Sequence, residues 1–228
     1  MLFHNAPQGS EQWLADRVGV ITASRYKDAR DFNAPTAAEK KEGKTRGKPS
    51  AKCCAYAAQV AVERIAGRSV ERVFESWQMR EGKEQEALAR AAYDVETGNI
   101  VNEVGLVTTD DRLFGYSPDG FVGEDGLLEI KTLLSADVIV KVVGEGDLSA
   151  YMDQCLGGLW LTGRQWIDLV LWAPALESIG RQLTIKRITR DENAIEALEA
   201  DLLDFAALVR KNEALLRGAA NDALPLAA

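Results

Sequence analysis

The feature that most constrains this chain is a pair of apolar, β-branched runs interrupted by charges at set places around one tight turn. Ser117-Pro118-Asp119-Gly120 lies before the turn, Gly123-Glu124-Asp125-Gly126 forms it, and Glu129-Ile130-Lys131 follows. Glycine and acidic residues between apolar runs are a hairpin signal. Strand side chains alternate faces, so Glu129 and Lys131 share one face and Ile130 turns into the core. Asp119 is expected near the end of the first strand and Glu129 at the opening of the second, with the turn bringing them side by side. Leu127, Leu128, Ile130 and Leu133 make the second strand largely buried, and charges inside a buried strand need partners. Pro118 holds Ser117 extended as the chain approaches Asp119. A solvent-exposed hairpin with an ordinary charged face is the competing reading, because Asp, Glu and Lys are common near turns.

Two carboxylates and an ammonium at one polar spot have a chemical logic. Hard oxygen ligands suit Mg²⁺ or Mn²⁺, which proteins hold with one or two carboxylates plus water and substrate phosphate. Such an ion activates water and offsets charge developing on a phosphate. Lys131 is placed to orient the water or stabilise the transition state. Ser-Pro-Asp-Gly followed about ten residues later by Glu-Ile-Lys resembles the catalytic motif of the PD-(D/E)XK nuclease superfamily. More closely, it resembles that of the lambda exonuclease family of viral recombination nucleases (YqaJ-like). The fold this resemblance implies is α/β with a restriction-endonuclease-like core, a mixed central sheet flanked by helices.

The length of 228 residues suits one domain with a good core. No apolar run is long enough to span a bilayer, and the start lacks a signal-peptide pattern. Cys53, Cys54 and Cys155 are odd in number, two of them adjacent, which argues against a disulfide framework and for buried thiols in a reducing cytoplasm. An iron–sulfur cluster normally takes four thiolates. The lone histidine, His4, argues against a histidine general base, a histidine-ligated zinc and a Ser-His-Asp triad. A net charge of −8 argues against general coating of nucleic acid, though an acidic exterior can surround a basic channel.

Along the chain, Ser10 is expected to cap a short helix with Trp13 and Arg17 on one side, and Thr22 or Ser24 to cap the next. Hydroxyls at a helix start beside an arginine suit an anion; a plain helix–turn–helix with Trp13 in the core is the competing reading. The stretch resembles the family's opening motif, in which an arginine and a serine hold a terminal 5′-phosphate; the matching positions are Arg17 and Ser24. Residues 33–52 carry Lys40, Lys41, Lys44, Arg46, Lys48 and Lys52 and read as a basic loop or arm, either solvated or touching a DNA backbone. A helix from Ser50 to Ala66 closes at Gly67, with Val60, Val62 and Ile65 packed, and another runs from Ser76 to about Thr97. On the second, Glu86 and Arg90 are spaced as a surface ion pair. The resemblance instead gives Glu86, after Gly82, a place facing the metal, and gives Met79 the role of an apolar wedge at the terminal base pair.

Ile100 to Thr109 reads as a strand that, with the hairpin, starts an antiparallel sheet, and Ser135 to about Val143 as a helix. A helix from Ser149 buries Leu156, Leu159 and Trp160. Gln154 by itself reads as a neutral face residue. The resemblance, through the family's Tyr-Met-x-Gln, implies that its amide reaches the active site, while Asp153, the competing candidate, is expected to point off that face. Gln165–Ala173 and Ser178–Ile188 read as strands. Residues 191–217 read as an amphipathic helix with Ile195, Leu198, Leu202, Phe205, Val209 and Leu216 on its apolar face, and 218–228 as a frayed tail.

The resemblance implies a Mg²⁺-dependent, processive 5′→3′ exonuclease on double-stranded DNA ends, with Mn²⁺ a possible substitute. It would release 5′-mononucleotides and leave 3′ single strands. Asp119, Glu129 and the Ile130 carbonyl would bind the metal, with Glu86 adding a ligand. Lys131 and Gln154 would serve the nucleophile, Arg17 and Ser24 the phosphate, and Ser117 the DNA backbone. It further implies a toroidal homotrimer, a single-strand annealing protein as partner, no membrane, and a phage- or prophage-encoded protein in bacterial cytoplasm. A restriction-type endonuclease, a RecB-like nuclease module and a DNA-end-binding remnant without activity are the alternatives.

Overall fold

The computed structural model describes residues 1–70 and 77–218, with backbone only for 77–80, 82 and 83. Chain order is β1 (Leu2–His4), α1 (Glu11–Asp16), β2 (Ile21–Thr22), α2 (Tyr26–Ala29), α3 (Ala37–Lys41), α4 (Ala51–Ala66), α5 (Trp77–Thr97), β3 (Val101–Asn102), β4 (Leu106–Thr108), β5 (Phe114–Tyr116), β6 (Gly120–Val122), β7 (Gly126–Thr132), α6 (Ala136–Ile139), α7 (Met152–Thr162), β8 (Trp166–Trp172), β9 (Leu183–Thr189) and α8 (Glu192–Gly218). The α/β expectation holds, with the strands shared between two mixed sheets. The larger runs β3-β6-β7-β8-β9 and the smaller β1-β4-β5-β2. Parallel pairing of β7 with β8 requires a crossover, and α6 and α7 supply it.

Alternation along β7 assigns its two faces. Leu127 packs in the cluster with Tyr56, Leu159, Leu169, Leu202 and Phe205. Leu128 and Ile130 pack on the other face with Ala89, Tyr93 and Val170. The large sheet is thus covered by α4, α7 and α8 on one side and by α5 on the other. On α8, Ile195, Leu198, Leu202, Phe205 and Val209 are all buried, each contributing about 1.5–3 kcal/mol by leaving water. Leu216, expected on that stripe, is exposed, as are Val62 and Ile65 on α4, and the three line one shallow surface pocket.

Several boundaries follow their caps. The Ser50 side chain accepts from Cys53 N–H, and Gly67 closes α4 in the left-handed region. Ser10 caps α1 through Trp13 N–H. Thr22 occupies the cap position of the next turn without a side-chain bond, and Arg25, not Ser24, precedes α2. The single strand expected over 100–109 is two strands in different sheets. Gly105 divides them because the backbone of β1 passes so close that a Cβ there would lie 2.1 Å from the His4 carbonyl oxygen. The strand expected from Ser178 starts at Leu183, after a 3₁₀ turn over Pro174–Ile179. The helix after Ser135 becomes a π-helical turn at Val140–Gly144.

The 33–52 segment is more structured than a loop. Thr36 and Glu39 form a capping box on α3. Arg46 stacks 4.2 Å from the Phe32 ring centroid and pairs with Asp201 and Asp204 of α8. His4 pairs its ring with the Thr108 hydroxyl at 3.2 Å. All three cysteines are free, and Cys54 is exposed where a buried thiol was expected.

Candidate active site

The hairpin register pairs Gly120 with Leu128, so Asp119 faces Glu129 across the ladder, as expected. The strand positions differ from expectation: Asp119 immediately precedes β6, and Glu129 is central in β7. The Asp119 N–H donates to the Leu128 carbonyl at 3.1 Å. Asp119 Oδ2 accepts from the Ile130 N–H at 2.6 Å. One side chain is thus pinned to the strand that carries the other.

Glu129 is 2% exposed. Its Oε2 accepts from the Tyr116 hydroxyl at 2.8 Å, and its Oε1 from the Gln154 amide. Lys131 Nζ lies 2.8 Å from Oε1 and 6.0 Å from the Tyr151 ring centroid. Burial alone would lower the Lys131 ammonium, but Glu129 and Asp119 outweigh it and hold it above its ordinary value. The Asp119 carboxyl is pushed well above the usual carboxylate range by burial first, then by the charges of Glu129 and Glu86. Burial, then Glu129, also raises the Tyr116 hydroxyl, which keeps it a donor. Glu86 leans on Arg90 at 2.7 Å, the ion pair its spacing suggests. It also lines a cleft of about 330 Å³ with Gln8, Arg90, Glu103 and Asp119.

Among the described residues no three acidic, histidine or cysteine side chains converge as a ready-made metal cage. The donor set nevertheless fits a hard divalent cation. Asp119, Glu129 and the Ile130 carbonyl offer oxygens only, and burial together with the charges of Glu129 and Glu86 pushes Asp119 toward the neutral form, which is the condition a bound cation relieves.

A second cluster adjoins the hairpin. Arg17 lies 4.3 Å from the Trp13 ring centroid. Arg17 Nη1 and Trp13 Nε1 both donate to Ser117 Oγ, at 3.3 and 3.1 Å. Burial pulls the Arg17 guanidinium below its ordinary value. Arg17, Thr22, Ser24, Arg25 and Tyr56 line a cavity of about 320 Å³. Arg17 and Ser24 therefore share a cavity, and Ser117 ties it to the strand entering Asp119. Gln8 adds a tie, donating to the Pro118 carbonyl at 2.7 Å. Asp153 points away from the site and pairs with Arg30. Met79 lies on α5, but its side chain, and Gly82, are outside the described ones.

Sequence reasoning missed Tyr116, Gln8 and Arg25. Tyr116 reads as one more strand aromatic, and only the packing of β5 against β7 reveals its hydroxyl on Glu129.

No curated protein matches the chain. Solved structures do. An alkaline exonuclease, LHK-Exo, from Laribacter hongkongensis is similar at TM-score 0.74 and 33% identity, over 93% of this chain and 99% of that one. LHK-Exo in complex with dAMP is similar at TM-score 0.76, with the same 33% identity and coverage of 93% and 99%. A phage-related exonuclease from Haemophilus somnus 129PT shares the fold at TM-score 0.63 and 17% identity, over 87% and 95% of the two chains. Residues 12–165 match the YqaJ-like viral recombinase domain, a span that holds Arg17, Ser24, Glu86, Asp119, Glu129, Lys131 and Gln154. On that match, and on the identity held over nearly the whole of both chains, this chain belongs to the YqaJ-like viral recombinase family.

Proposed function

We propose that this chain is a divalent-metal-dependent exonuclease that engages the end of a DNA duplex and degrades the 5′-ended strand processively, 5′→3′. It releases 5′-mononucleotides and leaves a 3′ single strand for recombination by strand annealing. Membership of the family and the likeness to LHK-Exo make it a nuclease acting on DNA. One observation supports the finer reading: Ser117 accepts from Arg17 and Trp13 on the anion-cavity side, and two residues later Asp119 stands beside Glu129.

The residues fit Mg²⁺, with Mn²⁺ a substitute: Asp119, Glu129 and the Ile130 carbonyl would hold it, Glu86 directly or through water. When bound, the cation supplies an acidified water and offsets charge on the phosphate. The chain's own groups do the rest. Lys131, kept protonated by Glu129 and Asp119, offers a positive donor to the water or the scissile phosphate. Gln154 fixes Glu129 and carries a second amide hydrogen for the same task. Arg17, stripped of water and backed by the Trp13 ring, grips phosphate oxygens with Ser24. The proposed working form is a ring of three copies, closed by repeated heterologous contacts, with its basic residues turned inward and a single-strand annealing protein taking the emerging strand. It would act in the cytoplasm of a bacterial host as a phage or prophage product. Among the described residues no helix is long and apolar enough to cross a membrane.

The test is digestion of linear duplexes labelled at either end of one strand, with and without a 5′-phosphate, in Mg²⁺ or in EDTA. Release of the 5′ label as mononucleotide, faster from phosphorylated ends and absent in EDTA, is expected. Release of the 3′ label first, nicking of closed circular DNA, or digestion in EDTA would overturn the reading.

A further inference from the structure

We infer that Tyr116 is a positioning residue for Glu129, fixing the orientation in which that carboxylate meets a divalent cation; this rests on the reading of the site given above. The Tyr116 hydroxyl donates to Glu129 Oε2 at 2.8 Å, while Oε1 takes Gln154 and Lys131. A glutamate carboxylate turns freely about its last torsion unless each oxygen is held. Here each oxygen has its own donor, and the plane of the group is set. Partners of this kind, one bond removed from a metal, orient its ligands and tune affinity.

The phenol itself cannot swing. It is 1% exposed and lies against Gly158 of α7, where a Cβ would come within 2.6 Å of the ring. Gln154 and Gly158 are four residues apart on that helix, so they lie on one face. A single face of α7 therefore sets both oxygens of Glu129: one directly, through the Gln154 amide, the other through the ring seated on Gly158. Phenylalanine would fill the same space, so packing does not account for the hydroxyl. The next residue, Ser117, accepts from Arg17 and Trp13. Adjacent residues at the end of β5 thus hold the carboxylate and the anion cavity in one frame.

The experiment is calorimetric titration of Mn²⁺ into wild type, Tyr116→Phe, Gly158→Ala and Glu129→Ala, alongside digestion of linear duplex across a Mn²⁺ series. Tyr116→Phe should bind Mn²⁺ about 10-fold more weakly. Its half-maximal metal concentration should rise by the same factor, while turnover at saturating Mn²⁺ stays within about threefold of wild type. Gly158→Ala keeps the hydroxyl but displaces the ring, and should weaken Mn²⁺ binding in the same direction. Unchanged Mn²⁺ affinity in Tyr116→Phe, beside its loss in Glu129→Ala, overturns the inference and leaves the proposed function standing. So does a lowered melting temperature in Tyr116→Phe with metal affinity intact, which is the mark of a purely structural bond. Wild type that binds no divalent metal overturns the proposed function and the inference together.

Discussion

Two buried carboxylates stand on neighbouring strands and have opposite meanings. Glu129 in β7 and Asp168 in β8 are 2% and 1% exposed. The register pairs Asp168 with Leu128 and Glu129 with Leu169, so they point to opposite faces of one sheet. Asp168 is matched to its surroundings: Arg187 reaches both its oxygens, at 2.8 and 2.7 Å, and Tyr93 donates at 2.8 Å. Arg187 also stacks on Trp166. That cluster ties α5 to the sheet. Glu129 has one cation, Lys131, yet stands beside Asp119 with Glu86 near, so negative charge there is in excess. A balanced buried carboxylate holds a fold together. An unbalanced one marks a place where the fold gives up stability for a function.

The contrast can be broken by substitution, and the largest effect is expected on the hairpin. Asp119→Ala should lower digestion of linear duplex by roughly 10³-fold or more, with the fold retained by circular dichroism. Next, Asp168→Asn should lose about 3 kcal/mol of stability, the low end for a broken buried pair because Arg187 is half exposed, read by denaturant melts. Arg17→Ala should reduce the preference for 5′-phosphorylated ends by roughly 10–100-fold, the worth of a charged hydrogen bond. Rates on matched phosphorylated and unphosphorylated duplexes give that value.

A smaller effect has the opposite sign. In metal-free protein the folded chain holds the Asp119 proton more tightly than the unfolded chain does. That contribution is fully present below the ordinary carboxylate value and is lost as pH rises through the raised one. At pH 8, well above the ordinary carboxylate value, the carboxyl at this position is a cost to the folded chain, so Asp119→Asn in EDTA should melt higher than wild type, by roughly 2–4 °C. Asp168→Asn melts lower under the same conditions. Smallest of all, Arg46→Ala should change stability by less than about 1 kcal/mol, because its pairs with Asp201 and Asp204 are partly solvated.

What was legible in the sequence follows the range of the forces involved. Local rules were readable: the turn at Gly123–Gly126, the Ser50 and Gly67 caps of α4, the apolar stripe of α8. So was the proximity of Asp119 to Glu129, because a hairpin register is short-range. The structure also brings Arg17 and Ser24 to one cavity, as the motif resemblance implied. Contacts made across the chain were not readable. Arg46 finds Asp201 at a separation of 155 residues, which turned an expected loop into a docked segment. Asp168 is lost within the apolar run of β8, and nothing local announces that Arg187 and Tyr93 await it. Gly105 looked like part of a strand because its constraint comes from β1, far away in sequence. Val62 is two residues from the buried Val60 and so faces away from the stripe that packs, while Leu216 keeps the helical period of its stripe and is still exposed; apolar character alone did not tell these positions from core ones.

The central claim is that the unbalanced carboxylate, and not its balanced neighbour, performs the chemistry. It is tested most directly by digesting one end-labelled linear duplex in Mg²⁺ with Glu129→Gln and Asp168→Asn side by side, at a temperature where both are folded. The account predicts a silent Glu129→Gln and an Asp168→Asn close to wild type. A Glu129→Gln that still releases the 5′ label at the wild-type rate would contradict it.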